Sequence, residues 1–216
     1  IFGANIGTTI TAWIVALFGF KFQIAALAIP VFGIGYILYS IKKLNKKTIG
    51  EALMGFGLLF VGLDLLGKVM TFDAEQVLFL QHLTGNGYLS ILAGVLAGSV
   101  ITMLIHSSSA ATAIILTMSH NKLLPWEFAA AMVLGSNIGT TIDAVFASIG
   151  TKVNARRAAL IHVLFNVIGS VIAIIFFNPF LYIIDFLVPG PVENSITTHI
   201  AMLHTVFNVM NSLLFF

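Results

Sequence analysis

The chain contains no cysteine, which excludes a disulfide framework and any thiolate metal site. Charge is almost as scarce. Asp, Glu, Lys and Arg supply 8% of the 216 residues, against roughly a quarter in ordinary soluble domains, so water is not the solvent for most of this surface. The alternating period of outer-membrane strands is missing too, which favours a helical bundle over a β-barrel. No initiator Met, signal peptide or polar leader precedes Ile1, and the chain stops on apolar Leu213, Leu214, Phe215 and Phe216. It therefore reads as a piece of a longer protein. A net charge of +2 says little about partners, and no nucleic acid is expected among them.

Apolar residues take up what is left. They make 59% of the chain, with a mean hydropathy of +1.06, and long runs of them with short polar breaks predict an all-α integral membrane protein. Four runs, at about 22–41, 49–67, 154–177 and 195–216, approach the roughly 20 residues needed to cross a hydrocarbon core. Lys42, Lys43, Lys46 and Lys47 follow the first, and Lys152, Arg156 and Arg157 precede the third, so the positive-inside rule sets both loops in the cytoplasm. Asp73, Glu75 and Glu193 fall in the opposite loops.

Within this apolar chain one polar heptapeptide occurs almost twice: Gly3-Ala4-Asn5-Ile6-Gly7-Thr8-Thr9 and Gly135-Ser136-Asn137-Ile138-Gly139-Thr140-Thr141. An unsatisfied polar group in lipid costs several kcal/mol, so such a segment is expected to line a binding cavity. The charge pattern makes the helix after the first copy run outward and the one after the second run inward. Two similar segments of opposite direction predict an inverted repeat with broken helices, the arrangement by which secondary transporters hold a midplane site. Residues 87–150 must then lead from outside to inside. A re-entrant hairpin with its tip at His106, Ser107, Ser108 and Ser109, surfacing at 119–122 before Pro125, followed by one broken span from about Trp126 to Gly150, meets that need. Two full spans at 87–105 and 106–120 meet it equally. The domain reading is 1–70 as the back half of a first repeat, 71–86 as an outer interfacial connection and 87–216 as a second repeat. Residues 178–194 enclose too short an apolar run to span and read as an interfacial helix or loop.

His106-Ser107-Ser108-Ser109-Ala110-Ala111-Thr112, followed by residues 135–141, resembles the paired motifs of the type II sodium/phosphate cotransporter family and its bacterial relatives. The resemblance covers about 87–216 and, for the other repeat, about 1–70. It implies sodium-driven transport of inorganic phosphate across a bacterial inner membrane, with the serine triplet and the Asn-Ile-Gly-Thr-Thr segments near substrate and ions. His106 stands where the family usually has Gln, and the first repeat's own serine triplet is absent.

The residue chemistry suits that reading. Ser107, Ser108 and Ser109 precede a good helix former and are expected at the N-cap and first turn, where amides and hydroxyls meet an anion. Glycines permit unwound backbone, so the heptapeptides are expected to offer oxygens to a hard cation. Ser107, Ser108, Ser109, Asn5 and Asn137 are thus the expected phosphate residues. Thr8, Thr9, Thr112, Thr140, Thr141 and Asp143 are the expected sodium residues, Asp143 being the carboxylate expected deep in the membrane. Sodium is the one ion expected to travel with substrate; neither an organic cofactor nor a transition metal is expected, and membrane lipid is the remaining partner. Close helix packing through glycine is the competing account of the heptapeptides. The repeated His-x-x-Phe-Asn of 162–166 and 204–208 is expected to bond between helices. A carrier or channel for another small anion, sulfate or a dicarboxylate, is the alternative function. An intramembrane serine hydrolase ranks below it, because adjacent His106 and Ser107 cannot face each other as base and nucleophile, and no enzyme activity is expected.

Overall fold

Where lipid replaces water, each segment must satisfy its own backbone hydrogen bonds, and the described residues do so with helices alone. The computed structural model describes residues 1–19, 24–41, 45–69, 84 and 87–216. Lys42, Lys43, Asp73, Glu75 and most of the expected outer connection lie outside them. The chain divides into two units, residues 1–16 with 72–216 and residues 17–71.

The larger unit opens with α1 (Phe2–Ile14), which passes into a π-helical turn at Val15. The smaller unit is an antiparallel pair, α2 (Ile24–Ser40) and α3 (Lys47–Val69). Their backbones touch through glycine: a Cβ on Gly50 would lie 2.6 Å from the Gly35 carbonyl oxygen, and one on Gly57 2.7 Å from that of Ala28.

The rest of the larger unit is a hairpin, α4 (Tyr88–Ile105) and α5 (Ser108–His120), then α6 (Trp126–Gly139) and α7 (Thr141–Ser148), α8 (Val153–Ile175), α9 (Phe177–Leu187) and α10 (Val192–Phe215). At its centre stands α6, with every residue buried except Glu127 and Ile138. Against it α4 lies parallel, Gly94 meeting Ala131 and Gly139 meeting Ser99 and Thr102. α10 is parallel to α6 as well, with the Trp126 and His199 rings 5.7 Å apart at one level and Asn137 beside Asn208 further along. α1 runs the other way. Trp13 Nε1 donates to Thr205 Oγ1 at 2.9 Å, while Phe2 stacks on Phe165, which in turn packs on Phe215 near the far end of α10.

Among the described residues, five helical stretches are long and apolar enough to cross a membrane: Phe2–Gly19, Lys47–Leu65, Tyr88–Ile105, Trp126–Ser148 and Val153–Ile175. The expected spans at 49–67 and 154–177 are among them. Of those at 22–41 and 195–216, the described parts are held by α2 (Ile24–Ser40) and α10 (Val192–Phe215), which are not among the five. For α10 the reason is its load of His199, His204, Asn208 and Asn211, all buried inside the protein instead of facing lipid. The stretch 178–194 is occupied by α9 and a turn at Gly190. With 11 residues, α9 reaches only about 16 Å at 1.5 Å per residue.

Candidate functional site

The serine triplet lies where the chain reverses. α4 ends on His106 in the left-handed conformation (φ 57°, ψ 28°), and extended Ser107 (φ −154°, ψ 109°) caps α5. Ser107 Oγ accepts from the Ala110 amide at 3.2 Å, and the Ser107 carbonyl accepts from that of Ala111. The amides of Ser108 and Ser109 and their hydroxyls keep donor capacity at a helix N-terminus, the end that carries the positive part of the helix dipole. Ser108 is buried, with Ser107 and Ser109 half-buried. α5 ends on His120, and Lys122 takes φ 60° in the turn before Pro125. The tip, the cap and the exit turn thus stand where the sequence put them.

The heptapeptides differ from expectation. Instead of unwinding, the first lies wholly within α1, and the second runs through α6 with a break only at Thr140, itself in helical dihedrals. Thr8, Thr9, Ser136, Thr140 and Thr141 each donate a hydroxyl to a carbonyl three or four residues back, at 2.7 to 2.9 Å. Such bonds form within a helical backbone and leave each oxygen with acceptor capacity only. The glycines of the second copy serve close packing. A Cβ on Gly135 would collide with the Val95 carbonyl, and Ser99 Oγ donates to the Gly135 oxygen at 2.9 Å. Around Gly3 and Gly7 the space is open.

Asp143 lies in the first turn of α7, within a candidate membrane span, with its side chain 43% exposed, and Oδ1 pairs with His106 Nδ1 at 2.5 Å. Sequence reasoning singled out both residues and missed that they meet. A signal was present, since His106 departs from the family pattern and Asp143 departs from Thr11 of the first copy.

The helices named in the sequence do converge. α5, carrying Ser108 and buried Thr112, packs on α1, α6 and α10, and α10 also packs on α1. Asn137 lies 3.5 Å from Asn208, one of the residues assigned to interhelical bonding, whereas no hydrogen bond among the described residues joins Asn5 to Asn137. An apolar cavity of about 400 Å³ opens elsewhere, between α8, α9 and α10, lined by Phe176, Phe180 and Met210. Its walls suit acyl chains, not ions.

The family model described as Na+/Pi-cotransporter matches residues 1–68 and 72–185. The uncharacterized protein YqeW of Bacillus subtilis is 30% identical over the whole chain and 66% of its own length. The "Putative inorganic phosphate export protein YjbB" of Salmonella typhimurium is 27% identical over 86% of the chain and 33% of its own length. Sodium-dependent phosphate transport protein 2C of Mus musculus is 38% identical over 38% of the chain and 14% of its own length. The chain thus spans two thirds or less of these relatives, and no solved structure matches it. With five apolar helices long enough to span and bacterial relatives, it is an integral inner-membrane protein. It belongs to the Na+/Pi-cotransporter family, one of transporters and not of enzymes.

Proposed function

We propose that this chain forms part of a sodium-coupled carrier of inorganic phosphate. One observation carries the reading: donors and acceptors are sorted onto different elements. The α5 N-terminus offers amide and hydroxyl donors on Ser107, Ser108 and Ser109, the chemistry an anion requires. The heptapeptide threonines have committed their hydroxyl hydrogens to their own helices' carbonyls, so Thr8, Thr9, Thr140 and Thr141 offer oxygen alone, the chemistry of a hard cation. Thr112, on the buried face of α5 one turn from the serines, has a hydroxyl without a partner and sits between the two sets. Neither set holds Lys or Arg. Phosphate would lie there against neutral groups, a costly arrangement that a neighbouring sodium ion relieves. Each ligand then raises the other's affinity, which is the thermodynamic content of coupling. The opposed directions of α1 and α6 support an inverted repeat of domains 1–70 and 87–216, with alternating access around the site.

The test is phosphate flux in vesicles carrying the full-length protein, in both orientations, under an imposed sodium gradient. Flux should follow the gradient, and equal flux with choline in place of sodium would remove the coupling. Sulfate and a dicarboxylate run in parallel should be carried poorly, and preference for either would reassign the substrate.

A further inference from the structure

Four asparagines of the larger unit share one arrangement. Nδ2 of Asn5, Asn137, Asn166 and Asn208 donates to the carbonyl four residues back, on Ile1, Val133, His162 and His204, at 3.2, 2.9, 3.0 and 2.9 Å respectively. A carbonyl only accepts, so exchanging the amide's nitrogen and oxygen would set oxygen against oxygen. Each amide is thereby fixed with its nitrogen on its own helix and its oxygen turned outward. For Asn137, which the sequence assigned to phosphate, this commits one of the two N–H donors to its own helix and leaves the oxygen as an acceptor facing away from it.

Asn137 and Asn208 meet at the seam between α6 and α10, each with an amide oxygen not held by its own helix. Their residues are 3% and 0% exposed. Asn208 Oδ1 has no partner among the described residues, and Asn137 Oδ1 receives only a 3.5 Å approach from Asn208 Nδ2, at the outer limit of a hydrogen bond. One turn earlier on the same helix face, His204 is fully buried with neither ring nitrogen bonded. Buried acceptors without donors are rare and call for a positively charged or hydrogen-bearing guest. Neutral carbonyl oxygens with no carboxylate beside them match a monovalent hard cation.

We infer that Asn208 and Asn137 form a sodium-coordinating oxygen pair between α6 and α10. Asn208, which lies outside both motifs, is a ligand of the ion that accompanies substrate. This rests on the sodium-coupled reading above and moves Asn137 from the anion to the cation.

The experiment follows thermal unfolding of the purified full-length protein as sodium chloride replaces choline chloride at constant ionic strength. Asn208→Ala should raise the half-stabilising sodium concentration by about tenfold or more, the scale of a lost group at a metal site. A wild-type sodium curve for Asn208→Ala, or a loss of stability equal at every sodium concentration, overturns the inference and returns Asn208 to packing. If that variant does not fold, Asn208→Ser decides. A raised sodium requirement supports the pair, because the shorter side chain withdraws its oxygen, and an unchanged one refutes it. Sodium failing to stabilise wild type at all removes the coupled reading as well, so the two failures are distinguishable.

Discussion

Ser107 has two roles that substitution can separate. Its side chain caps α5 by accepting from the Ala110 amide, and the same atom stands at the proposed anion seat. Ser107→Ala should cost about 1 kcal/mol of stability through the lost cap. Ser107→Asp keeps an acceptor at the cap and adds negative charge where phosphate is to sit. Its thermal stability should stay near wild type while phosphate flux is lost; retained flux would move the anion away from the hairpin tip. Asp143 is a similar case, because its carboxylate already has a partner in His106. If it also serves sodium, Asp143→Asn should raise the sodium concentration for half-maximal flux and leave membrane expression intact. An unchanged sodium dependence would limit Asp143 to tying the hairpin tip to α7.

Glycine carries the comparable argument for whole helices, since the two heptapeptide copies place it in different surroundings. Gly135 and Gly139 let the α4 backbone close onto α6, and a methyl group on Gly135 has only the Val95 backbone to meet. Gly135→Ala should therefore destabilise the protein by about 1–3 kcal/mol, the cost of overpacking. Gly3→Ala, with nothing within 4 Å of the added carbon, should be neutral or gain up to about 1 kcal/mol from helix propensity. Thermal unfolding of the two variants side by side checks the contrast, and equal losses would contradict it. The same comparison shows what was legible beforehand. The hairpin tip, its N-cap and its exit turn follow from serine, asparagine and proline chemistry that acts within a few residues, and the structure agrees there. Unwinding of the heptapeptides did not follow, because a glycine count cannot show that Thr8, Thr9, Thr140 and Thr141 bond their own helix. The pairings of Asn137 with Asn208 and of His106 with Asp143 depend on which helices meet. A single sequence records that only indirectly.

For the molecule as a whole, helix directions and charge must agree on one topology. Trp126–Ser148 is a candidate span of 23 residues, about 34 Å at 1.5 Å per residue, enough to cross a core of about 30 Å. α4 is parallel to it and 18 residues long, about 27 Å by the same rise. The 13 residues of α5 reach about 20 Å. Because α4 and α6 are parallel, α5 returns the chain, and the turn at Asn121 and Lys122 is expected on the side from which α4 enters, with the loop at Thr151 and Lys152, leading into Arg156 and Arg157, on the other. By the positive-inside rule that second side is expected to be cytoplasmic. Since this chain contributes no cysteine of its own, single cysteines at Asn121 and at Thr151 can be read by an impermeant thiol reagent in cells and in inverted vesicles. Asn121→Cys should react from outside the cell and Thr151→Cys only in inverted vesicles. Labelling of both from one side would mean that Trp126–Ser148 does not cross. α1 and α6, however opposed in direction, could then not present their oxygens from two halves of one transport path.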